Sequence, residues 1–499
     1  MDYLLSIDAG TTSVKVVVFD ELGRVVAGSL HEYQLLTPHP DWVELGPDVY
    51  WLSAVAGIAD VVGQLGDEAQ SIRAVGVTSQ GETLIPVDAT GRPLRRAIVW
   101  LDNRAVDEAQ IIASAFDAGR FYEVTGLPEI IPSWPACRML WLAENEPDVF
   151  AQVGKYLLVE DYLIYRLTGR TVTEPGVCTS TGYLDIAGSA GDGRTWWPEM
   201  LDFVGVSPTQ LPELVGTGEV VGQLTRAAAE ELGLSRDVVV VTGGMDQIAA
   251  AVGAGNLAPG IVSETTGTAL VIVSTVDQPT YDSQKRFPLY CHALPDRYLL
   301  EPYCQTAGMV LRWYRDLFGG GRGYDELTAL AADAPPGCDR LLMLPYLTGA
   351  TSPHFDPDAR GVFHGIGLQH SQGHFVRAIL EAVAFELREN VEVLQDMGVA
   401  VESVISLGGG ARSDLWLQIK ADVLGLPVQP AECEETTSLG VAIMSAVAVG
   451  LHPDLPTACR HMVRTRPVIE PAPGYGPVYD AAFARYRAVY AALEGTFGC

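Results

Sequence analysis

The chain has 499 residues, 48% of them hydrophobic and 19% charged, so it should fold as a globular protein with about two or three domains. A formal net charge of −30 disfavours binding to nucleic acid and to anionic membrane surfaces, and we expect neither as a partner. The eight cysteines include no Cys-x-x-Cys pair, which argues against a cysteine metal cluster and indicates reduced thiols in a cytoplasmic protein.

The first 30 residues predict three strands separated by two turns. Apolar runs at residues 3–7 and 14–19 flank a Gly- and Thr-rich turn, which favours a β-hairpin, and a second turn follows at 21–24. Further strands are predicted at 72–78, 96–100 and 238–241. Helical periodicity is present at 50–66, 106–118 and 155–167.

The tip of the first hairpin has the groups that suit a polyphosphate and its metal ion. Asp8 offers a carboxylate for Mg²⁺, and Gly10 lets backbone N–H groups approach a phosphate. Four further side chains can donate to phosphate oxygens: Thr11, Thr12, Ser13 and Lys15. An ordinary hairpin with a polar tip is the alternative, since the spacing matches neither a Walker loop nor a dinucleotide fingerprint. The segment resembles the first phosphate motif of the actin, Hsp70 and sugar kinase superfamily.

The same pattern returns in the second half of the chain. A strand at 261–263, a turn at 264–268 and a strand at 269–274 repeat the opening hairpin, which predicts an internal duplication with domains at 1–250 and 251–499. A strand at 404–407 then leads into the glycine turn 408–410, and helices are predicted at 413–424, 436–450 and near the end of the chain. Two similar α/β halves predict a bilobal enzyme with its nucleotide in the cleft between them.

Two longer motifs resemble the signatures of the FGGY carbohydrate kinase family, which includes glycerol kinase, xylulokinase, ribulokinase and gluconokinase. The N-terminal signature is similar to residues 133–145, where Pro135, Trp141 and Leu142 are in register and Arg138 replaces the usual Lys. The C-terminal signature is matched at every fixed position by Gly361-x-Phe363-x-Gly365-Ile366, seven further residues, and His374-Phe375-x-x-Ala378-Ile379-Leu380-Glu381. The resemblance extends from Asp8 to about residue 450.

The resemblance implies a fold of two actin/Hsp70-like (ribonuclease H-like) domains with an ATP cleft between them. The first phosphate motif, the sugar-binding residues and the catalytic Asp would lie in 1–250, and the second phosphate motif and the adenosine motif in 251–499. Asp246, in the stretch Gly243-Gly-Met-Asp-Gln247, takes the family's general-base role and, with Asp8, its Mg²⁺ association. From the residues alone, Asp246 at a strand end could equally be a helix N-cap.

The family's cofactor and substrate positions transfer to this chain residue by residue. For ATP they are Thr11, Thr12, Ser13, Lys15, Gly267, Thr268, Gly308, Gly409, Gly410 and Ser413. For the acceptor they are Gln80, Gly81, Glu82, Trp100, Asp102, Asp246 and Gln247. Trp100 has a core aromatic as its alternative interpretation.

The residues at 80–83 do not select a single acceptor among the substrates of the family. Glycerol kinases have Gln-Arg-Glu-Thr where this chain has Gln80-Gly-Glu-Thr83, and xylulokinases have Gln-Met-His-Gly. We therefore expect ATP- and Mg²⁺-dependent phosphorylation of a small sugar or polyol, with a xylulose-like pentulose as the best single choice. Glycerol or a tetritol is the alternative acceptor. A non-catalytic nucleotide-binding scaffold or sugar sensor is the alternative class.

Localisation and assembly follow from weaker signals. The N-terminus has no basic region ahead of an apolar run, so no signal peptide is expected. The longest apolar helical stretch, residues 439–451, is too short to cross a bilayer, which also favours a cytoplasmic enzyme without a membrane partner. A homodimer is one expected assembly. The four histidines between residues 354 and 374 have no metal-ligand spacing and are predicted to lie in turns and at the surface.

Overall fold

The structure is a computed structural model and describes residues 2–188 and 194–498. Helices and strands alternate along these residues, as in an α/β protein. The strands are β1 Tyr3–Ala9, β2 Ser13–Asp20, β3 Val25–Glu32, β4 Glu44–Leu45, β5 Ile72–Ser79, β6 Ile85–Val87, β7 Ala97–Ile98, β8 Lys155–Leu157, β9 Val172–Thr173, β10 Leu184–Asp185, β11 Thr195–Trp196, β12 Glu213–Leu214, β13 Val220–Gln223, β14 Val239–Met245, β15 Gly260–Thr266, β16 Leu270–Val276, β17 Leu289–Cys291, β18 Tyr298–Leu300, β19 Tyr303–Cys304, β20 Leu342–Leu344, β21 Val362–His364, β22 Val401–Leu407 and β23 Val428–Pro430. The α-helices are α1 Pro47–Leu65, α2 Val106–Ala115, α3 Ala118–Thr125, α4 Pro135–Asn145, α5 Pro147–Phe150, α6 Val159–Thr168, α7 Pro175–Cys178, α8 Pro198–Val204, α9 Arg226–Leu232, α10 Asp246–Gly253, α11 Gly308–Phe318, α12 Tyr324–Ala332, α13 Gln372–Asp396, α14 Asp414–Leu424, α15 Thr436–Ala448, α16 Leu455–Met462 and α17 Gly476–Leu493.

Two compact units divide the chain. The first comprises the chain up to Leu257 together with Asp277–Leu299 and Glu435–Val463. The second comprises Ala258–Val276, Leu300–Glu434 and the residues from Arg464 onward. Two segments from the second half of the sequence therefore belong to the first unit, which the predicted division at residue 250 does not include.

A six-stranded mixed sheet forms the centre of the first unit, in the order β13-β14-β5-β1-β2-β3. β1 pairs antiparallel with β2 across the hairpin and parallel with β5, and β5 pairs parallel with β14. α1 packs on β2 and β3, whereas α15 packs on β1, β5 and β14. Leu5 and Ile7 of β1 enter the same core as α1, so Asp8 lies on the other face of its strand.

Helices α10 and α15 approach each other closely at two glycines. A Cβ atom at Gly253 would lie 1.9 Å from the carbonyl oxygen of Thr436, and one at Gly440 would lie 1.8 Å from that of Ala249. Both distances are far below van der Waals contact, so any side chain at either position would push the helices apart. This contact explains why the helix predicted at 436–450 is so rich in small residues.

The second unit repeats the strand arrangement of the first. β15 pairs antiparallel with β16 and parallel with β22, and β22 pairs parallel with β23. β19 pairs antiparallel with β16, as β3 pairs with β2 in the first unit. The run β23-β22-β15-β16-β19 thus matches β14-β5-β1-β2-β3. The two-domain α/β class is confirmed, and the repeated topology supports the predicted internal duplication.

Most predicted elements have their expected type, but two helices differ from prediction. Residues 155–157 form strand β8 rather than helix, because they pair with β6, and the Asp161 carboxylate accepts the N–H of Leu158 at 2.8 Å where α6 begins. The helix predicted at 106–118 ends early, at Ala115, and a second helix, α3, begins at Ala118, where Asp117 caps it through the N–H groups of Gly119 and Arg120.

The expectation that residues 439–451 form the longest apolar helical stretch is wrong. The helical segment Pro47–Ser71 is long and apolar enough to cross a membrane by length and composition alone. Its residues Tyr50, Ala54 and Ile58 are completely buried in the core of the first unit. A core helix of a globular domain satisfies the same criterion, so this single helix is weak evidence for a membrane span.

Candidate functional site

The carboxyl ends of three parallel strands lie side by side in the first unit. Ala9 of β1 pairs with Ser79 of β5, and Ser79 pairs in turn with Met245 of β14. Asp8 precedes this row of residues by one position and Asp246 follows it by one. The carboxyl edge of a parallel sheet is the usual place for ligand binding in α/β proteins, so the register brings the predicted catalytic and metal-associated carboxylates to that edge.

Burial and neighbouring charge shift the pKa values of these carboxylates. Burial raises the pKa of Asp8 to about 7, the charge of Asp246 adds to the rise, and Lys15 offsets part of it. Burial likewise raises the pKa of Asp246 to about 7, the N–H of Gln247 opposes this, and the charge of Glu82 adds to it. Burial is also the main cause of the raised pKa of Glu82. Repulsion thus links Asp8 to Asp246 and Asp246 to Glu82, and carboxyl groups with raised pKa values at a sheet edge are candidates for a functional site.

The cluster is suitable for a magnesium ion. Within 2–188 and 194–498, no three or more His, Cys, Asp and Glu side chains form a group that could hold a metal. Mg²⁺ commonly uses only one or two protein carboxylates and completes its shell with water and phosphate oxygens. Asp8 and Asp246, each with a raised pKa, fit this mode, because a cation beside them would offset their repulsion.

The tip of the first hairpin is held in place while one of its hydroxyls remains accessible. The hydroxyl of Tyr33 donates to the carbonyl of Gly10 at 2.5 Å. The backbone N–H of Tyr33 donates to the carbonyl of Thr12 at 2.9 Å. Thr11 accepts a hydrogen bond from the Trp100 indole at 2.9 Å, whereas the side chain of Thr12 is exposed. The predicted phosphate turn is therefore a rigid loop connected to a predicted acceptor residue.

Lys15 lies directly across the hairpin from Asp8 and forms an ion pair with Glu435. Glu435 immediately precedes α15, at the point where the chain re-enters the first unit. The Lys15 and Glu435 side chains are each about one-third exposed, at 33% and 32%. The Lys15 side chain is therefore partly exposed and paired with Glu435.

The segment after β5 is a constrained turn. Gln80 is buried, and its side-chain amide donates to the Tyr50 hydroxyl at 2.9 Å. Glu82 has a positive φ of 58°, which is uncommon for a residue other than glycine and recurs at ligand-binding sites. A Cβ at Gly81 would lie 2.9 Å from the sulfur of Met245, so Gly81 lets this turn pass close to the residue before Asp246.

Asp102 is placed differently from the other predicted acceptor residues. Both of its oxygens accept hydrogen bonds from the Arg104 guanidinium at 2.8 Å, and one also accepts the N–H of Val43 at 2.5 Å. Asp102 is completely buried, and the Trp42 ring lies 3.8 Å from the Arg104 guanidinium carbon. Its carboxylate is thus fully engaged within the protein, which favours a structural role.

Arg138, which the sequence marked only as a replacement for Lys, organises the acceptor side. Its guanidinium is completely buried and donates to the carbonyls of Glu82 at 2.7 Å, Trp100 at 2.9 Å and Asp102 at 3.1 Å. One side chain therefore joins two segments that hold predicted sugar-binding residues. Burial lowers the pKa of Arg138 to about 10, so it stays protonated near neutral pH.

In the second unit, the turn between β15 and β16 forms the second predicted phosphate loop. Gly267 and Thr268 are exposed there, and the Thr268 carbonyl accepts the N–H groups of Ala307 at 3.0 Å and Met309 at 3.1 Å. A Cβ at Gly308 would lie 2.2 Å from the Gly267 carbonyl oxygen. Gly308 is therefore required for the close approach of α11 to this turn, which explains why the sequence has a glycine there.

The glycine turn after β22 lies against the same loop. Gly410 packs on Thr266, because a Cβ atom at Gly410 would lie only 2.6 Å from the Cβ of Thr266. Gly409, in contrast, is exposed. The Ser413 hydroxyl accepts the N–H of Trp416 at 3.3 Å and so caps α14. Among the predicted adenosine residues, Gly409 has an open surface, while Gly410 and Ser413 shape the turn.

Lys420 beneath these two turns is a residue that sequence reasoning missed. Its ammonium group contacts Glu264 at 2.5 Å, the Thr266 hydroxyl at 2.9 Å and the Ser406 hydroxyl at 3.3 Å. Lys420 and Glu264 are both completely buried. The available signal was a single Lys in the predicted helix 413–424, between the apolar residues Ile419 and Ala421. This ion pair ties β15, β22 and α14 together directly below both predicted nucleotide turns.

Two repeated α/β units, each with a Gly/Thr turn between its first two strands, together define the class of two-domain sugar kinases. Models of the N-terminal and C-terminal domains of the FGGY family of carbohydrate kinases match residues 3–253 and 261–449. The chain therefore belongs to the FGGY family of carbohydrate kinases. It is an ATP-dependent enzyme that phosphorylates a carbohydrate.

Individual relatives match almost the entire chain. A xylulose kinase of Escherichia coli is 32% identical over 468 residues, covering 92% of this chain and 94% of that protein. A xylulose kinase of Staphylococcus epidermidis is 29% identical over 489 residues, covering 98% of this chain and 96% of that protein. A gluconokinase of Bacillus subtilis is 30% identical over 460 residues, covering 90% of this chain and 88% of that protein. The crystal structure of a xylulose kinase from Rhodospirillum rubrum matches with a TM-score of 0.90 at 31% identity, covering 100% of both chains.

Proposed function

We propose that this enzyme transfers the γ-phosphoryl group of ATP to a hydroxyl of a xylulose-like pentulose. The main support is the group formed by Asp8, Glu82 and Asp246 at one edge of a parallel sheet, in a chain whose full-length relatives include xylulose kinases. Phosphoryl transfer to an alcohol requires a carboxylate near the hydroxyl and a cation near the phosphates. This cluster supplies groups for both tasks.

Asp246 is the proposed general base. A base works best when its pKa is close to the working pH, and burial brings that of Asp246 to about 7. Asp246 is the first residue of α10, and its carboxylate accepts the N–H of Gln247 at 2.7 Å, which fixes its orientation. The N-cap position of α10 is Met245, so the helix does not use Asp246 as its cap.

The nucleotide is proposed to bind as a magnesium complex. Asp8 and Asp246 would hold Mg²⁺, which when bound would neutralise charge on the transferring phosphate. In the first unit, the phosphate contacts are Thr11, Thr12, Ser13 and Lys15. In the second unit, Gly267 and Thr268 offer exposed donors to phosphate, Gly409 provides an open surface for adenosine, and Gly308, Gly410 and Ser413 maintain the shape of these turns.

The acceptor is proposed to lie against the turn after β5. Glu82 and Gln247 would pair with its hydroxyls, Gln80 and Gly81 would shape the pocket, and Trp100 would pack on its carbon chain. The absence of an Arg at Gly81 leaves the pocket without the cation that glycerol kinases have there, which favours a longer polyhydroxy chain over glycerol. Asp102, engaged with Arg104, would act by orienting this side of the pocket.

Sugar-dependent ADP release tests the assignment. The purified enzyme with MgATP would be offered xylulose, ribulose, gluconate, erythritol and glycerol, and we expect the highest kcat/KM with a pentulose. Efficient turnover of glycerol or erythritol, with no response to pentuloses, would replace the proposal by a polyol kinase. A preference for gluconate would match the gluconokinase relative instead. ADP release that no acceptor stimulates would indicate a sensor.

Asp246→Asn tests the mechanism, because the amide keeps the shape of the side chain and removes its basicity. We expect a loss of several orders of magnitude in kcat, with ATP affinity within about threefold of wild type. Thr12→Val is the matched variant on the phosphate side: it should weaken ATP binding and leave the order of sugar preference unchanged. An Asp246→Asn enzyme with normal turnover would refute the base assignment.

The cellular setting is inferred from the same relatives. The bacterial sugar kinases that align over nearly the full chain support a cytoplasmic enzyme with a small sugar as its partner. The buried cysteines agree with a reducing compartment. A homodimer stays a prediction, which sedimentation equilibrium of the purified protein would test.

A further inference from the structure

One buried acid, Glu160 at the start of α6, contacts two segments that hold predicted catalytic and substrate residues. Its carboxylate accepts the backbone N–H of Gly243 at 2.8 Å, three residues before Asp246. Its backbone N–H donates to the hydroxyl of Ser79 at 3.1 Å. Ser79 is the last residue of β5 and directly precedes the Gln80–Glu82 turn. Glu160 itself is completely buried.

The two segments that Glu160 joins are also linked to each other. The Thr78 hydroxyl donates to the Gly244 carbonyl at 2.6 Å, and the Ser79 hydroxyl donates to the Gln80 carbonyl at 2.8 Å. The pairing of β14 with β5 becomes irregular between Thr242 and Met245, so regular ladder hydrogen bonds do not fix this stretch. The Glu160 carboxylate supplies an acceptor where that ladder is interrupted.

The surroundings of Glu160 explain how a carboxyl group can occupy this place. Burial, together with the charge of the nearby buried Glu174, raises the pKa of Glu160 well above its usual range. The N–H groups of Gly243 and Gly244 offset only part of this. The contribution of the Glu160 side chain that the geometry shows is its hydrogen bond to the Gly243 N–H.

We propose that Glu160 is a positioning residue that fixes the geometry between the Asp246 segment and the Gln80–Glu82 turn. Its carboxylate acts on the Gly243 amide, and its own backbone N–H, which side-chain substitutions leave in place, holds the Ser79 hydroxyl. The inference rests on the proposed roles of Asp246 and Glu82. Because phosphoryl transfer depends on placing the base close to the acceptor hydroxyl, a small shift of Gly243 is enough to impair it.

Two substitutions at this position separate hydrogen bonding from ionisation. Glu160→Gln keeps an acceptor oxygen of the same reach, so it should retain most of kcat. Glu160→Ala removes the acceptor and should lower kcat about 10- to 100-fold, with KM for ATP almost unchanged, because the nucleotide contacts lie elsewhere. Hydrogen exchange of the peptide containing Gly243 and Gly244 should become faster in Glu160→Ala and stay near wild type in Glu160→Gln.

Asp161→Ala provides the matched control. Asp161 is equally buried and also accepts one backbone N–H, that of Leu158, but its partner lies in the connection to α6 rather than in a site segment. If Glu160 only stabilises the fold, both alanine variants would lose thermal stability and keep wild-type kcat per folded molecule. That result, or unchanged exchange at Gly243 in Glu160→Ala, would overturn the inference.

Comparison with Asp246→Asn separates this inference from the proposed function. If Asp246→Asn abolishes turnover while Glu160→Ala does not reduce kcat, the base assignment stands and the positioning role is wrong. If Asp246→Asn is fully active, the proposed mechanism fails, and the hydrogen-exchange comparison still decides whether Glu160 orders the Gly243 segment.

Discussion

Replacing Lys420 by methionine should destabilise the second unit more than any surface substitution. The change removes the ammonium group but keeps the length and most of the apolar volume of the side chain. It leaves Glu264 completely buried, with only the hydroxyls of Ser406 and Thr266 as donors. Removing one partner of a buried ion pair typically costs about 3–5 kcal/mol, because the remaining charge is uncompensated.

Differential scanning calorimetry measures this effect. A protein with two compact units need not unfold in one step, so the transition of the second unit should be followed separately. For a unit of about 150–250 residues, 1 kcal/mol shifts Tm by about 2–4 °C, so a loss of about 6–20 °C is expected.

The double variant Lys420→Met/Glu264→Gln is the decisive comparison. With both charges removed, the neutral amide can still pair with the two hydroxyls, so the double variant should be more stable than Lys420→Met alone. Replacing a buried ion pair by neutral groups is often close to neutral in free energy. A Tm change below about 3 °C for Lys420→Met, or a double variant less stable than the single one, would refute the reasoning.

Three further variants test other contacts. Gly440→Ala should destabilise the first unit by about 1–3 kcal/mol or more in urea unfolding, because its Cβ would lie 1.8 Å from the Ala249 carbonyl oxygen. Trp100→Phe removes the 2.9 Å indole hydrogen bond to Thr11, so it should raise KM for both ATP and sugar in steady-state assays. His292 is completely buried, and burial lowers its pKa to about 4. The unfolded chain protonates this imidazole below about pH 6.5, whereas the folded protein does so only near pH 4, so the folded state loses stability as the pH falls through this range. His292→Gln should therefore reduce that loss of stability between pH 6.5 and 4 by about 3 kcal/mol.

Each of these expectations can fail on its own measurement. Wild-type stability of the alanine variant would mean that the two helices separate at no cost. A tryptophan variant altered only in sugar KM would show that its hydrogen bond does not support the phosphate turn. Parallel stability–pH curves for wild type and the histidine variant would show that this imidazole accepts its proton while folded.

Local pattern was sufficient for the elements that recur along the chain. The two Gly/Thr turns between apolar runs predicted both hairpins, β1–β2 and β15–β16, because a change from apolar alternation to turn residues is a local property. The family signatures identified the kinase class for the same reason, since they are short ordered strings of residues. The placement of Asp246 directly after a buried strand was likewise visible, and the strand β14 confirms it.

Tertiary structure alone decided which distant residues share one site. Asp8, Glu82 and Asp246 are far apart in sequence and meet only because β1, β5 and β14 pair in parallel register. The same register gives Glu160 its two partners, and β6 pairing turned residues 155–157 into a strand despite their helical pattern. Periodicity shows which face of an element is apolar. Pairing partners, buried ion pairs and the inclusion of two late segments in the first unit depend instead on the free energy of the whole packed chain.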